Sequence, residues 1–328
     1  MKKFSHTGNS QFNPLRRYIC RRLLLLIPVL LGVTILTYGL MYLSPQGPVE
    51  MMLQAQGTAP DADVVNTMKN QLGLDRPFII QYFSWLGRFI RGDMGTSYMD
   101  GSSVAGKLLM ALPNTLKLTF FSIIVTILFS IPLGMISAVK KGKIIDNIIR
   151  LLSFMGNSLP NFIVSLLLLY IFALKLGWFP ILSSGSAKSY VLPTLALAIP
   201  MTGKYIRQVR SAILEELNKP YVEGARARGL KESKILIFYV LPNALTTILT
   251  LMALSMGSLL GGTAAVEMIF SLPGMGYMIT NAVTNRDYPV IQAFVVWMSL
   301  IYIVINLVTD IVCYYLDPRL GSEMGVGR

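Results

Sequence analysis

Residues 221–245 read YVEGARARGLKESKILIFYVLPNAL (Tyr221 to Leu245), a polar, basic stretch between two long apolar runs. Pro220, just ahead of it, opens a helix, because proline is tolerated in a first turn whose N–H groups have no partner. Glu223 falls near the positive end of that helix, and Ala225, Arg226, Ala227 and Arg228 are good helix formers. Gly229 marks the point where the helix ends in a left-handed turn. Leu230 to Val240 reads as a second helix, charged at Lys231, Glu232 and Lys234 and apolar after them. Pro242 does not fit freely inside a helix and predicts a break or kink before the next apolar run. The expected object is a short, positively charged helix-turn-helix between membrane segments, presented to something in the cytoplasm. On spacing alone, an ordinary solvated loop with a helical turn is the favoured reading, because short basic amphipathic stretches are common.

The rest of the chain agrees with a membrane setting. Of 328 residues, 53% are hydrophobic and only 14% charged, against about 25% charged in soluble domains. A net charge of +13 would suggest nucleic acid on a soluble protein. Here the basic residues flank apolar runs, so membrane topology accounts for them and no nucleic-acid partner is expected. Cys20 and Cys313 lie near opposite chain ends, with no disulfide framework or metal-ligand spacing. The single histidine, His6, stands in a polar tail, which argues against a histidine-based catalytic or metal site. No GxxxxGK[ST] phosphate cradle occurs. The chain is therefore not expected to be an enzyme, to bind a cofactor or metal, or to hydrolyse ATP alone.

In chain order, residues 1–15 form a polar tail, and Arg16, Arg17, Arg21 and Arg22 precede the apolar run Leu23 to Leu43. That run is long enough to span a bilayer at about 20 residues. It has no evident cleavage site after it, so it reads as a retained first span with its start in the cytoplasm. Ser44 to Ala111 is mixed in composition and is expected outside the cytoplasm as a cap. Within it, Asp61 to Leu72 and Pro77 to Ile90 read as helices, the second carrying the stripe Phe78, Tyr82, Trp85 and Phe89, which could lie on the membrane surface or pack on the bundle, packing being the favoured use. Leu116 to Val139 is the second span, followed by Lys140, Lys141, Lys143 and Arg150 as an inside signal. Leu151 to Leu176 is the third, interrupted by Gly156, Asn157, Ser158 and Pro160, which predicts a structural kink, with a flexible or pathway-lining point as the alternative. Leu192 to Tyr205 is the fourth, and Lys204, Arg207 and Arg210 return the chain to the cytoplasm. Asn243 to Ala265 is the fifth, with Gly257, Gly261 and Gly262 permitting close helix approach. Glu267 to Pro289 is an outer segment with turns near Pro273 and Arg286, and Val290 to Tyr315 is the last span, closed by Asp317-Pro318-Arg319. The fold class expected is an all-α integral membrane protein of about six transmembrane helices, both termini inside. Its parts are a tail (1–15), a first span plus extracytoplasmic cap (16–112), a core (113–319) holding the basic loop (211–242), and a second tail (320–328).

Few polar groups stand inside the spans. Lys117 is close enough to an outer span end to snorkel. Glu267 falls at the outer edge. Asp310, with Asn306 one turn before it, lies inside the last span, where a carboxylate faces a bundle interior or an aqueous path. These two are pathway candidates, and a structural partner on a neighbouring helix is an equal alternative.

Glu223-Gly224-Ala225, Gly229 four residues later, and Leu241-Pro242 together resemble the EAA loop of ABC-type importer permeases. Gly224 replaces the first alanine of that motif, and Tyr239 stands where isoleucine is usual. LGLDRPFIIQYFSWL (Leu72 to Leu86), GDMGTSY (Gly92 to Tyr98), LPNTLKLT (Leu112 to Thr119), IPLG (Ile131 to Gly134) and DPR (Asp317 to Arg319) are similar to the dipeptide, oligopeptide and nickel branch. The resemblance runs from about Tyr18 to Arg319. It implies a type I importer fold in a bacterial cytoplasmic membrane. It implies that Glu223, Gly224, Ala225, Gly229, Leu241 and Pro242 belong to a coupling helix that docks on an ATPase. It also implies a second, similar permease, two ATPase subunits using ATP and Mg, and an extracytoplasmic substrate-binding protein. It does not separate a peptide from a nickel or metal-chelate substrate. A secondary transporter or channel working without an ATPase is the alternative; it would carry ion ligands in broken helices and often internal repeats, and no repeat stands out here.

Overall fold

The computed structural model describes residues 14–43, 47–55, 57–58, 61–183 and 185–316. Asp317-Pro318-Arg319, the tail 320–328 and most of the tail 1–15 lie outside the described residues.

The first apolar run closes into α1 (Pro14–Tyr42), which leads to three short helices, α2 (Pro48–Ala55), α3 (Ala62–Leu72) and α4 (Phe78–Ile90). Helix α3 starts where the Asp61 carboxylate accepts the Asp63 N–H, and stops at Gly73, whose φ of 67° permits the left-handed turn. Glu50 of α2 and Lys69 of α3 pair at 2.6 Å. The stripe on α4 packs on α1: Tyr38 meets Phe78, Tyr82 and Trp85 with ring centroids 5.5–5.8 Å apart. Thr34 and Tyr82 share a hydrogen bond of 2.9 Å.

Helix α5 (Val104–Val139) begins well before the expected second span, with Ser103 as its cap. The expected third span is not one kinked helix. It is α6 (Ile144–Ser158) followed by α7 (Asn161–Leu168), the latter continuing as a π-helical turn over Leu169–Lys175, and the pair bends by 98°. The cause is local. Pro160 keeps the residue before it out of the helical region, and Leu159 is extended at ψ 124°.

Helix α8 (Val191–Leu217) contains the expected fourth span but runs on through its basic half. It is the spine of the bundle, buried at Leu192, Leu197, Tyr205, Val209 and Ile213. Two glycines that sequence reading passed over let neighbours press on it. A Cβ at Gly134 of α5 would stand 2.6 Å from Val209 Cβ, and one at Gly203 would collide with the Ser153 carbonyl of α6. Of the three glycines foreseen as contacts, Gly262 meets Asn161 and Gly257 meets the Tyr302 ring, while Gly261 faces open space.

After α8 come α9 (Pro220–Ala227) and α10 (Glu232–Ile235), the latter joined through a π-helical turn at Leu236–Val240 to α11 (Leu241–Ile269). The expected break at Pro242 is therefore absent. The π turn loosens the helix just before the proline, where an α-helical hydrogen bond is lost anyway. Asn243 Nδ2 donates to the Tyr239 carbonyl at 2.6 Å. The outer segment read as turns contains a further helix, α12 (Met275–Thr284), before α13 (Tyr288–Leu316).

Among the described residues, four helical stretches are long and apolar enough to cross a membrane: Leu24–Tyr42, Val104–Val139, Glu232–Met252 and Tyr288–Val312. The bent pair α6–α7 makes a fifth if counted as one span. Length and composition thus give four or five, and the expected six requires α8, whose basic second half removes it from that class. The buried residues fall into two main clusters along the bundle. One joins Tyr205, Val209 and Ile213 to α9 and the start of α11, and the other joins Leu118, Leu192 and Leu197 to the end of α11.

Candidate functional site

The basic stretch forms a hairpin at one end of the bundle, opposite the end that carries α2–α4 and α12. Its first arm is α9, which Pro220 opens. It closes with a Schellman turn: Gly229 N–H donates to Arg226 O at 2.8 Å, and Leu230 N–H to Ala225 O at 3.3 Å. Gly229 has φ 74°, so glycine is needed there. Arg226 and Glu232 pair at 2.6 Å across the turn and fix α9 against α10. Both side chains are exposed, so the pair itself contributes at most about 1 kcal/mol.

The hairpin has an inner and an outer face. Val222, Ala225 and Ile235 are fully buried against Tyr205, Ala212, Ile213, Val240 and Ala244. Burying one Val or Ile side chain stabilises by roughly 1.5–3 kcal/mol, so these three residues seat the hairpin on α8 and α11. Glu223, Gly224, Arg226, Arg228 and Gly229 are exposed on the other face. Leu241 packs against the same cluster, and Pro242 is exposed at the first turn of α11. Of the six motif residues, Glu223, Gly224 and Ala225 lie in α9, Gly229 in the turn after it, and Leu241 and Pro242 in the first turn of α11.

The joint between α8 and α9 was not foreseen. Glu216, 7% exposed, accepts from Lys219 Nζ at 2.5 Å and from the Tyr221 hydroxyl at 2.7 Å. Burial, with the Glu216 carboxylate as acceptor and neighbour, pushes the Tyr221 phenol up to about 12. Asp146 at the start of α6 is fully buried, and Arg210 of α8 donates to it through Nε and Nη2 at 2.8 Å each. The Ser137 hydroxyl and the Gly142 N–H donate to the same carboxylate. Breaking such a pair costs about 3–5 kcal/mol. A run such as Leu214-Glu215-Glu216-Leu217 gives no sign of which acid is buried; the Tyr five residues on was the only available hint.

Comparison with known proteins fits this arrangement. Residues 130–322 match the binding-protein-dependent transport system inner membrane components, and residues 15–119 match the N-terminal part of such components. The chain is 36% identical over 317 residues to the oligopeptide transport system permease protein AppB of Bacillus subtilis, covering 92% of this chain and 98% of that one. It is 36% identical to the metal-staphylopine import system permease protein CntB of Staphylococcus aureus (93% and 98% covered). It is also 36% identical to the glutathione transport system permease protein GsiC of Salmonella choleraesuis (92% and 98% covered). In fold it is similar to an inward-facing methionine ABC transporter, MetNI, with TM-score 0.55 and 19% identity over 64% of this chain and 96% of that one. The chain belongs to the ABC importer permeases, in the dipeptide, oligopeptide and nickel branch.

At the far end of this permease a second clasp binds the N-terminal part to the core. Asp287, between α12 and α13, accepts from the Ser97 hydroxyl and from the Tyr98 N–H at 3.0 Å. Lys107 of α5 bridges Ser97 and Asp100 at 2.8 and 2.9 Å. Hydrogen bonds from Ser102 and then Lys107 hold the Asp100 carboxyl well below the usual range. The GDMGTSY motif is therefore the strap that ties α4 to the loop after α12. Glu267, expected at an edge, is wholly buried: Thr115 Oγ1 donates to it at 2.7 Å and Tyr277 N–H at 3.0 Å, so it caps the start of α12. Lys117 is exposed on α5.

Asn306 and Asp310 do not belong to the hairpin site. Both are half-buried on α13. Asn306 donates to the Tyr302 carbonyl at 2.9 Å and lines a cavity of about 290 Å³ against Leu25 and Val29 of α1.

Proposed function

We propose that this permease moves a peptide or a metal chelate across the cytoplasmic membrane by alternating access, driven through the hairpin by separate ATPase subunits. The reading takes the hairpin end as cytoplasmic, with both termini on that side, and the α2–α4 and α12 end as the outer cap. The working assembly is this chain with a second, similar permease, two ATPases using ATP and Mg, and an extracytoplasmic binding protein, all set in lipid. The substrate class follows the relatives, whose names cover oligopeptide, glutathione and metal-staphylopine import.

One observation carries the coupling role. The hairpin is seated by Val222, Ala225 and Ile235 while Glu223 and Arg228 stay exposed, and it continues without a gap into α11. A push on that face reaches α8 through Glu216 and α11 through the π turn. Coupling requires two discrete arrangements with different contacts, and these two joints are where they would differ. The test replaces Glu223 by Arg or Gly229 by Val in the assembled complex and measures uptake together with ATPase activity stimulated by the loaded binding protein. Uptake is expected to fall at least tenfold. Unchanged uptake removes the coupling role.

A further inference from the structure

We propose that Lys204 is a polar way-station on the transport path, where its ammonium receives the carboxylate of the substrate in transit; this rests on the importer reading above. Lys204 stands at the midpoint of α8, and its Nζ donates at 2.8 Å to Oγ of Ser255, at the midpoint of α11. At 1.5 Å per residue each lies roughly 20 Å from either end of its helix. The pair also falls where the two core clusters meet: Met252 belongs to one, Met256 packs on the other, and Met201 touches both. Lys204 is thus not a helix-end lysine, and its ammonium is turned to the neighbouring helix α11. Charged groups inside a membrane bundle are costly and face either a partner or an aqueous path. Ser255 supplies a hydroxyl and no counter-charge, and among the described residues no carboxylate lies within 4 Å of Lys204 Nζ. Lys204 is half-buried, so part of its side chain is left uncovered by this chain.

A second group points the same way. Gln208, one turn along the same face of α8, holds a buried Oε1 with no donor among the described residues. Among the described residues, an ammonium with no carboxylate within 4 Å and a buried acceptor with no donor suit the end of a peptide, whose carboxylate meets the first and whose amide N–H meets the second. Reading Lys204 as the basic flank of a short span hid it, because α8 continues to Leu217.

The test uses the full complex in proteoliposomes, with Cys20 and Cys313 replaced by serine, and follows ATP-driven uptake of radiolabelled trialanine. Lys204→Cys is expected to lower uptake about tenfold. Treatment with 2-aminoethyl methanethiosulfonate rebuilds an ammonium at that site and is expected to restore most of the loss, while the neutral methyl reagent restores none. Unchanged uptake in the variant, rescue by both reagents, or rescue by neither overturns the proposal. Co-purification with the ATPase checks assembly. Should Lys204→Cys not assemble, Lys204→Arg is expected to keep uptake within about threefold and Lys204→Gln to lose it; equal uptake by the two overturns the proposal. Parent vesicles without ATP-driven trialanine uptake count against peptide import itself, whereas intact parent uptake with an unaffected variant removes only the role of Lys204.

Discussion

Single residues in the hairpin differ in what they can tolerate, and two glycines five residues apart show it. Gly229 adopts φ 74°, while Gly224 lies inside α9, outside the left-handed region, and a Cβ built there meets nothing within 4 Å. Gly224→Ala should therefore stabilise α9 by about 1 kcal/mol, and Gly229→Ala should destabilise the turn by about 1–2 kcal/mol. Thermal unfolding of the purified complex should show shifts of opposite sign. The departure from the family motif at Gly224 is thus a matter of helix propensity and not of space. Gly203 is a different case: any side chain would meet the Ser153 and Asn157 backbone. Gly203→Val is expected to cost at least about 1–3 kcal/mol as overpacking, seen as loss of folded protein after extraction.

Among the elements, the elbow between α8 and α9 is where force would pass. Tyr221→Phe removes one charge-assisted hydrogen bond and Glu216→Gln weakens two, each worth about 1.5–3 kcal/mol. The expected outcome is fewer substrate molecules imported per ATP hydrolysed, with ATPase docking kept. A proportional fall in both activities would mean a merely structural joint. Because the Tyr221 phenol is raised from 10.0 to about 12, the clasp contributes fully below pH 10 and is lost as pH rises through about 12. Spectrophotometric titration of wild type against Tyr221→Phe should show one phenol of this late-titrating kind.

The elements also show how far sequence alone reached. The hairpin was legible because Pro220, Gly229 and the alternation of charge with apolar residues are local signals acting within a few residues. The start of α3 at Asp61 and the aromatic face of α4 were legible for the same reason. The 98° bend at Pro160 was half legible: the proline announced a disturbance, but its size depends on how α6 and α7 each pack on α8. The continuity through Pro242 was not, since a π turn leaves no composition signal. Buried acids such as Glu216, Asp146 and Glu267 look like any exposed acid until their donors, 3 to 152 residues away, are in place.

The whole molecule is a bundle of helices with the Gly92–Tyr98 strap tied to the loop after α12 at one end and a seated hairpin at the other, joined by α8 and α11. Asp146–Arg210 and the close contacts at Gly134 and Gly203 fix α5 and α6 against α8. Opening of the path is then expected to come from motion of α8 and α11 relative to α13 and α1. The most direct test introduces Glu223→Cys in the cysteine-free permease, assembled with its ATPase in sealed cells and in inverted vesicles. An impermeant maleimide should label it only from the cytoplasmic side, and docking of the ATPase should slow that labelling severalfold. Labelling from the exterior, or labelling indifferent to the ATPase, would contradict the claim that a separate motor grips this hairpin.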